Sequence, residues 1–170
     1  MAITKLIADS LGAGVGGKVL QVVTTTKTDT FTLATGGNVF TDITGLSATI
    51  TPSSASSKVY INFAINYGNS VGSIVKSKLI RGSTDISIGD ANGSRQRATV
   101  GNYNGVASSP MIQTMAQNFI DSPSTTSATT YKLQIATENA TLHVNRNNRN
   151  GNAAYDGTYT SSITLMEIEA

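Results

Sequence analysis

The most chemical-looking spacing in the chain is Gly12-Ala13-Gly14-Val15-Gly16-Gly17-Lys18. Glycine, four residues, glycine and lysine are the opening positions of a phosphate-binding loop, in which backbone N–H groups cradle phosphates and the lysine reaches them. The next position must be Ser or Thr to hold magnesium, a buried strand must precede the loop, and a helix must follow it. Here Val19 follows Lys18, no buried strand precedes Gly12, and Val19-Leu20-Gln21-Val22-Val23 has a β-type composition. The glycines therefore form a hinge, where they allow unusual backbone angles and raise the cost of ordering.

Other chemistry is sparse. His143 is the single histidine and there is no cysteine, so a transition-metal site would need copies of the chain converging on a symmetry axis. No metal site or cofactor is expected. A serine hydrolase needs its histidine beside a nucleophilic serine and an acid, yet no G-x-S-x-G elbow occurs and the serines cluster in turns. His143 alternates with Leu142 and Val144 and is expected to face outward. The carboxylates Asp85, Asp90, Asp121, Asp156, Glu167 and Glu169 are scattered, which gives no spacing for a glycosidase pair. Asp90-Ala91-Asn92-Gly93-Ser94 lacks the bidentate glutamate of a calcium loop and is better explained as a turn. The chain is expected not to be an enzyme, with no catalytic residues.

A contact surface is the better expectation. Asn145 to Asn152 reads N-R-N-N-R-N-G-N and is followed by Tyr155, Asp156 and Tyr159. Amides, guanidiniums and aromatic faces are what sugar hydroxyls and polar protein surfaces accept. Arg146, Asn147, Arg149, Asn150, Tyr155 and Tyr159 are the candidate receptor or glycan contacts. Tyr103 joins them from a second cluster with Arg95, Arg97, Asn102 and Asn104. Read more simply, asparagine fills tight turns and tyrosine props the loop from below.

The elements that must hold such loops are strands. From Lys58 to Tyr67 the alternation is unbroken: Val59, Ile61, Phe63, Ile65 and Tyr67 point one way, and the residues between them the other. Similar signals cover 18–26, 30–35, 38–43, 46–50, 74–81, 86–88, 98–100, 111–120, 131–137, 141–145 and 162–168. Turn-like sequences such as Thr44-Gly45 and Thr51-Pro52-Ser53-Ser54-Ala55-Ser56-Ser57 separate them. The three prolines, Pro52, Pro110 and Pro123, fall at turns or strand starts, where a missing N–H does least harm. About ten strands without a helix imply an antiparallel sandwich or jelly roll. Between 111 and 120 both faces are half apolar. Met111, Met115 and Phe119 share one of them and are the candidate trimer interface, since a cyclic homo-oligomer would bury a second face.

At 170 residues the chain suits one domain plus a tail, expected as an arm and hinge over 1–17 and a head over 18–170. Ile3, Leu6, Ile7 and Leu11 fall on one face at helical spacing, but so short a segment does not hold a helix alone in water. It is expected to order against a partner. Charged residues make up 13% of the chain with a net charge of +2, about half the usual share, which disfavours nucleic acid as a partner. No apolar run is long enough for a membrane span or signal peptide. Synthesis in the cytoplasm is expected, and without disulfides any role outside the cell would rest on packing and oligomerisation.

The opening Met1-Ala2-Ile3-Thr4-Lys5-Leu6-Ile7-Ala8-Asp9-Ser10-Leu11-Gly12 resembles the start of structural proteins of tailed bacteriophages. Leu46-Ser47-Ala48-Thr49-Ile50-Thr51-Pro52, Ser57-Lys58-Val59-Tyr60-Ile61, Ile80-Arg81-Gly82-Ser83-Thr84, Asp121-Ser122-Pro123 and Ser162-Ile163-Thr164-Leu165-Met166-Glu167-Ile168 resemble the head domain of phage fibre proteins. That resemblance implies a virion structural protein: a short homotrimeric fibre or decoration protein on the virion surface. Its jelly-roll head would be similar in outline to the complement C1q and tumour necrosis factor families. Ile3, Leu6, Ile7 and Leu11 would attach it to capsid or tail proteins. The alternative is a carbohydrate-binding tail-fibre tip that contacts a host-surface glycan.

Overall fold

The computed structural model describes residues 17–34, 36–104 and 111–169, and the attachment residues Ile3, Leu6, Ile7 and Leu11 lie outside them. Eleven strands and no helix make up the described chain: β1 (Val19–Lys27), β2 (Phe31–Leu33), β3 (Thr41–Ile50), β4 (Lys58–Asn69), β5 (Ser73–Arg81), β6 (Thr84–Ile86), β7 (Val100–Asn104), β8 (Gln113–Asp121), β9 (Thr129–Thr137), β10 (Leu142–Val144) and β11 (Ser161–Ile168).

All pairings between these strands are antiparallel and fall into two sheets. In the first sheet the long strands run β1-β11-β4-β8, and in the second β3-β9-β5-β7. The short strands only lengthen existing edges. β10 continues the edge of β4 that β11 begins, β2 pairs β10, and β6 shares the free edge of β5 with β7. Leaving out these three, consecutive long strands alternate between sheets except at β5 to β7, which pair within the second sheet, so the chain wraps one sandwich in the jelly-roll manner.

The sequence explains the layers. Val59, Ile61, Phe63, Ile65 and Tyr67 are all buried, as their alternation predicts. They meet Leu133, Ile135 and Tyr131 of β9, Val75 and Leu79 of β5, and Ile163 and Leu165 of β11 in one core. The sequence expectation of separate strands over 38–43 and 46–50 is corrected. Thr44-Gly45 is no hairpin turn but an irregularity inside continuous β3, with register slipping between Asp42 and Ser47 and Gly45 at a φ of 80°. The slip lets both Ile43 and Leu46 face inward, so hydrophobic burial outweighs regular pairing there.

The strand register gives the sandwich two poles. At one, the base, lie Gly17 and Glu169, whose N–H donates to the Lys18 carbonyl at 2.9 Å, with the connections over 51–57, 82–83 and 122–128. At the other, the tip, lie the connections over 70–72, 138–141 and 145–160.

Candidate functional site

The loop after β10 is built from the inside out. Asn145, fully buried at a φ of 65°, donates through Nδ2 to the Lys27 and Asp29 carbonyls at 2.8 and 2.9 Å. It accepts the Ser161 hydroxyl at 2.6 Å, which ties the loop's root to β1 and β11. His143 faces away from the core, as expected, but is covered rather than exposed. Its Nδ1 stands 3.1 Å from Thr32 Oγ1 and its Nε2 3.1 Å from Asn148 Oδ1. Burial, and then the nearby Arg146 charge, push the imidazole pKa down.

Asp156 is the hub. Its Oδ1 accepts Asn147 Nδ2 at 2.7 Å and Arg149 Nε and Nη2 at 2.8 and 2.7 Å, while its side chain is 5% exposed. The Arg149 guanidinium, then the Asn147 amide, hold the Asp156 carboxyl below its ordinary range. Arg149 also lies over the Tyr155 ring, 4.3 Å from its centroid, a cation–π contact.

Six sequence candidates thus share one loop, but their parts differ. Asn147 is a buried strut, with its Oδ1 accepting the Asn150 N–H at 3.0 Å. Arg146 donates to the Asn147 carbonyl at 2.9 Å, and the Tyr159 backbone N–H donates to the Asn145 carbonyl at 3.0 Å. What faces outward is Tyr155, 73% exposed, on its Arg149 support. Tyr103, 65% exposed, stands apart on β7, in the other sheet, beside Ile74.

The candidate interface on β8 divides by side. Met115 is 2% exposed inside the subunit's own core, and Phe119 packs against that core; Met111 precedes the strand and is half-buried. The outward residues of β8 are Thr114, Ala116, Asn118 and Ile120. Of the expected interface residues Met111, Met115 and Phe119, sandwich closure already uses Met115 and Phe119.

Sequence inspection missed what this outward side joins. Register places Val22 opposite Met166, Met166 opposite Tyr60 and Tyr60 opposite Ile120, a single apolar row across four strands. Val22 and Ile120 at its ends are 56% and 60% exposed. Val19, 48% exposed, pairs Ile168 in the row nearer the base. The other rows carry Thr, Ser, Ala and Asn, and among the described residues the face bears one charge, Lys58, whose Nζ donates to Ser122 Oγ at 2.9 Å. The second sheet's outer face differs. It holds the ion pairs Lys78–Asp85 at 2.6 Å and Lys132–Asp42 at 2.7 Å, with Lys76 bonded to Asn38 and Gln96. The signal was available only by pairing residues from four separate segments.

The base is held by buried carboxylates. Glu167, fully buried, accepts the Ser53 N–H and hydroxyl at 2.7 Å each and Gln21 Nε2 at 2.6 Å. Burial raises its pKa, and these donors with Ser57 outweigh that and hold it at about 2. Asp121 takes both oxygens to Arg81 Nη1 at 2.9 Å and accepts the Tyr131 hydroxyl at 2.7 Å. A shallow cavity of about 380 Å³ beside Arg81, Pro123 and Ala128 has that already paired guanidinium as its only charge. Among the described residues no three of His, Asp or Glu stand together as a metal site would require.

No protein-family model and no curated protein sequence matches the chain. Solved structures of infectious bursal disease virus are similar in part. A chain of its T13 viral particle is 18% identical with a TM-score of 0.49 over 91% of this chain. A chain of the Gx strain is 18% identical, TM-score 0.46, over 88%, and the VP2 subviral particle is 16% identical, TM-score 0.44, over 88%. The chain spans 36 to 40% of the length of those chains. Likenesses of this strength assign neither a family nor a role.

Proposed function

We propose that this protein is a non-enzymatic virion structural protein of a tailed phage, a short homotrimeric fibre or decoration protein on the particle surface. The supporting observation is the polarity of the sandwich. The polypeptide enters and leaves at the base, beside Gly17 and Glu169, and the long 145–160 connection lies at the opposite pole. A body tethered at one pole presents the other. In this reading Ile3, Leu6, Ile7 and Leu11 dock on capsid or tail proteins, and the glycines that follow absorb symmetry mismatch between head and particle. The test is removal of residues 1–17. The truncated protein is expected to keep its sheet signature and oligomeric state and to be absent from purified particles. Normal incorporation of the truncated protein refutes the docking role.

A second reading has its own observation. Tyr155 stands exposed at the tip on the fixed Arg149 guanidinium, and a rigid aromatic face beside donors suits stacking against a sugar ring. A host-surface glycan would then be the partner. Tyr155→Ala would abolish adsorption to host cells without changing particle composition. Unchanged adsorption with intact particles favours the structural role alone.

A further inference from the structure

We infer that the outer face of the β1-β11-β4-β8 sheet is the surface on which copies of this chain associate, centred on the row Val22, Met166, Tyr60 and Ile120. The inference rests on the self-associating part of the reading above and gives it a location. Three observations carry it. The row is apolar from one sheet edge to the other and continues into Val19 and Ile168. A patch that crosses four strands differs from the scattered apolar residues of ordinary surfaces. Among the described residues the face carries a single charge, and Lys58 holds it at the base-side margin, bonded to Ser122. The opposite sheet carries the paired lysines and aspartates on its outer side, and its exposed apolar pair, Ile74 and Tyr103, spans two strands rather than four.

Size selects the occupant. Four strands spaced ~4.8 Å apart and a run of eight residue steps at ~3.4 Å give a flat area of roughly 500 Å². Side-chain relief brings this toward the ~800 Å² per partner found in stable interfaces. A second copy of the same chain offers a face of matching extent and equally little charge, and Lys58, at the base-side margin, can keep its ammonium in water while the apolar row is covered. Hydroxyl and amide rows beside the apolar row supply the polar surround.

Sedimentation of the full chain at micromolar concentration tests the assignment. Wild type is expected to sediment at the mass of more than one chain. Val22→Asp and Ile120→Asp should each sediment as single chains with unchanged circular dichroism, and Ser47→Asp, outward on the other sheet, should remain associated. Aspartate variants that stay associated overturn the assignment. If they fail to fold, the double variant Val22→Cys/Ile120→Cys decides, because the chain has no other cysteine and the two positions lie three strand spacings apart, ~14 Å, too far for a bond within one chain. Oxidation should link chains to one another, and the absence of linked chains overturns the assignment. A monomeric wild type overturns it too, while attachment through the arm remains decided separately by the truncated protein's incorporation.

Discussion

Glu167 shows how one residue can govern a whole pole. Its carboxylate is buried without a cationic partner among the described residues, and neutral donors from Gln21 and the 51–57 connection stabilise its charge. The folded pKa of about 2 lies below the unfolded 4.5. The unfolded chain therefore binds the proton first, and this contribution is fully present above the unfolded value and fades as pH falls toward the folded one. Glu167→Gln should lower stability at neutral pH by about 2 kcal/mol, because the glutamine replaces one acceptor oxygen by a donor facing other donors. Its stability should also fall less than wild type's between those two pH values. Parallel denaturation curves for the two proteins across that range would show that the base is not held this way. Asp156 plays the corresponding part at the tip, where its bonds to Arg149 and Asn147 shape the loop before any partner arrives.

At the scale of elements, β4 is the spine. It pairs β11 and β10 along one edge and β8 along the other, and its inward residues form the centre of the core. Gly68, near its end, allows the tip loop to cross. A Cβ there would stand 2.9 Å from the Arg146 carbonyl oxygen and the Asn147 Cα, and 3.0 Å from the Met111 carbonyl oxygen, all backbone atoms that cannot rotate away. Gly68→Ala should cost roughly 1–3 kcal/mol and speed proteolysis within 145–160. Gly101→Ala, whose added Cβ would come no nearer than 3.4 Å to another atom, should have little effect. Equal proteolysis of both variants would contradict the close-crossing argument. β8 is the element with two duties: Met115 and Phe119 close the sandwich, and Ile120 ends the row on the outer face.

For the whole molecule, the contrast between its two outer faces sets the expected response to salt. An interface made by the row from Val22 to Ile120 would draw on burial of apolar area, worth ~25 cal/mol per Å², with almost no charge pairing to screen. Raising salt from roughly 0.05 to 0.5 M should change the dissociation of such an interface by no more than about twofold. A steep salt dependence, measured by sedimentation, would place the contact on the charged sheet instead.

The sequence alone determined the sandwich, because alternation such as Val59 through Tyr67 is a local property and allows only one inward face. It also marked the loop from Asn145 to Tyr159, whose composition is unlike that of a strand. It did not distinguish struts from contacts within that loop, since whether Asn147 is buried depends on Asp156 nine positions away. It did not tell which side of β8 the core takes, because both sides look half apolar until the sandwich closes on Met115 and Phe119. The row across the outer face was decided by tertiary structure alone: Val22, Tyr60, Ile120 and Met166 lie far apart along the chain, and only the registers of three strand pairs bring them into line.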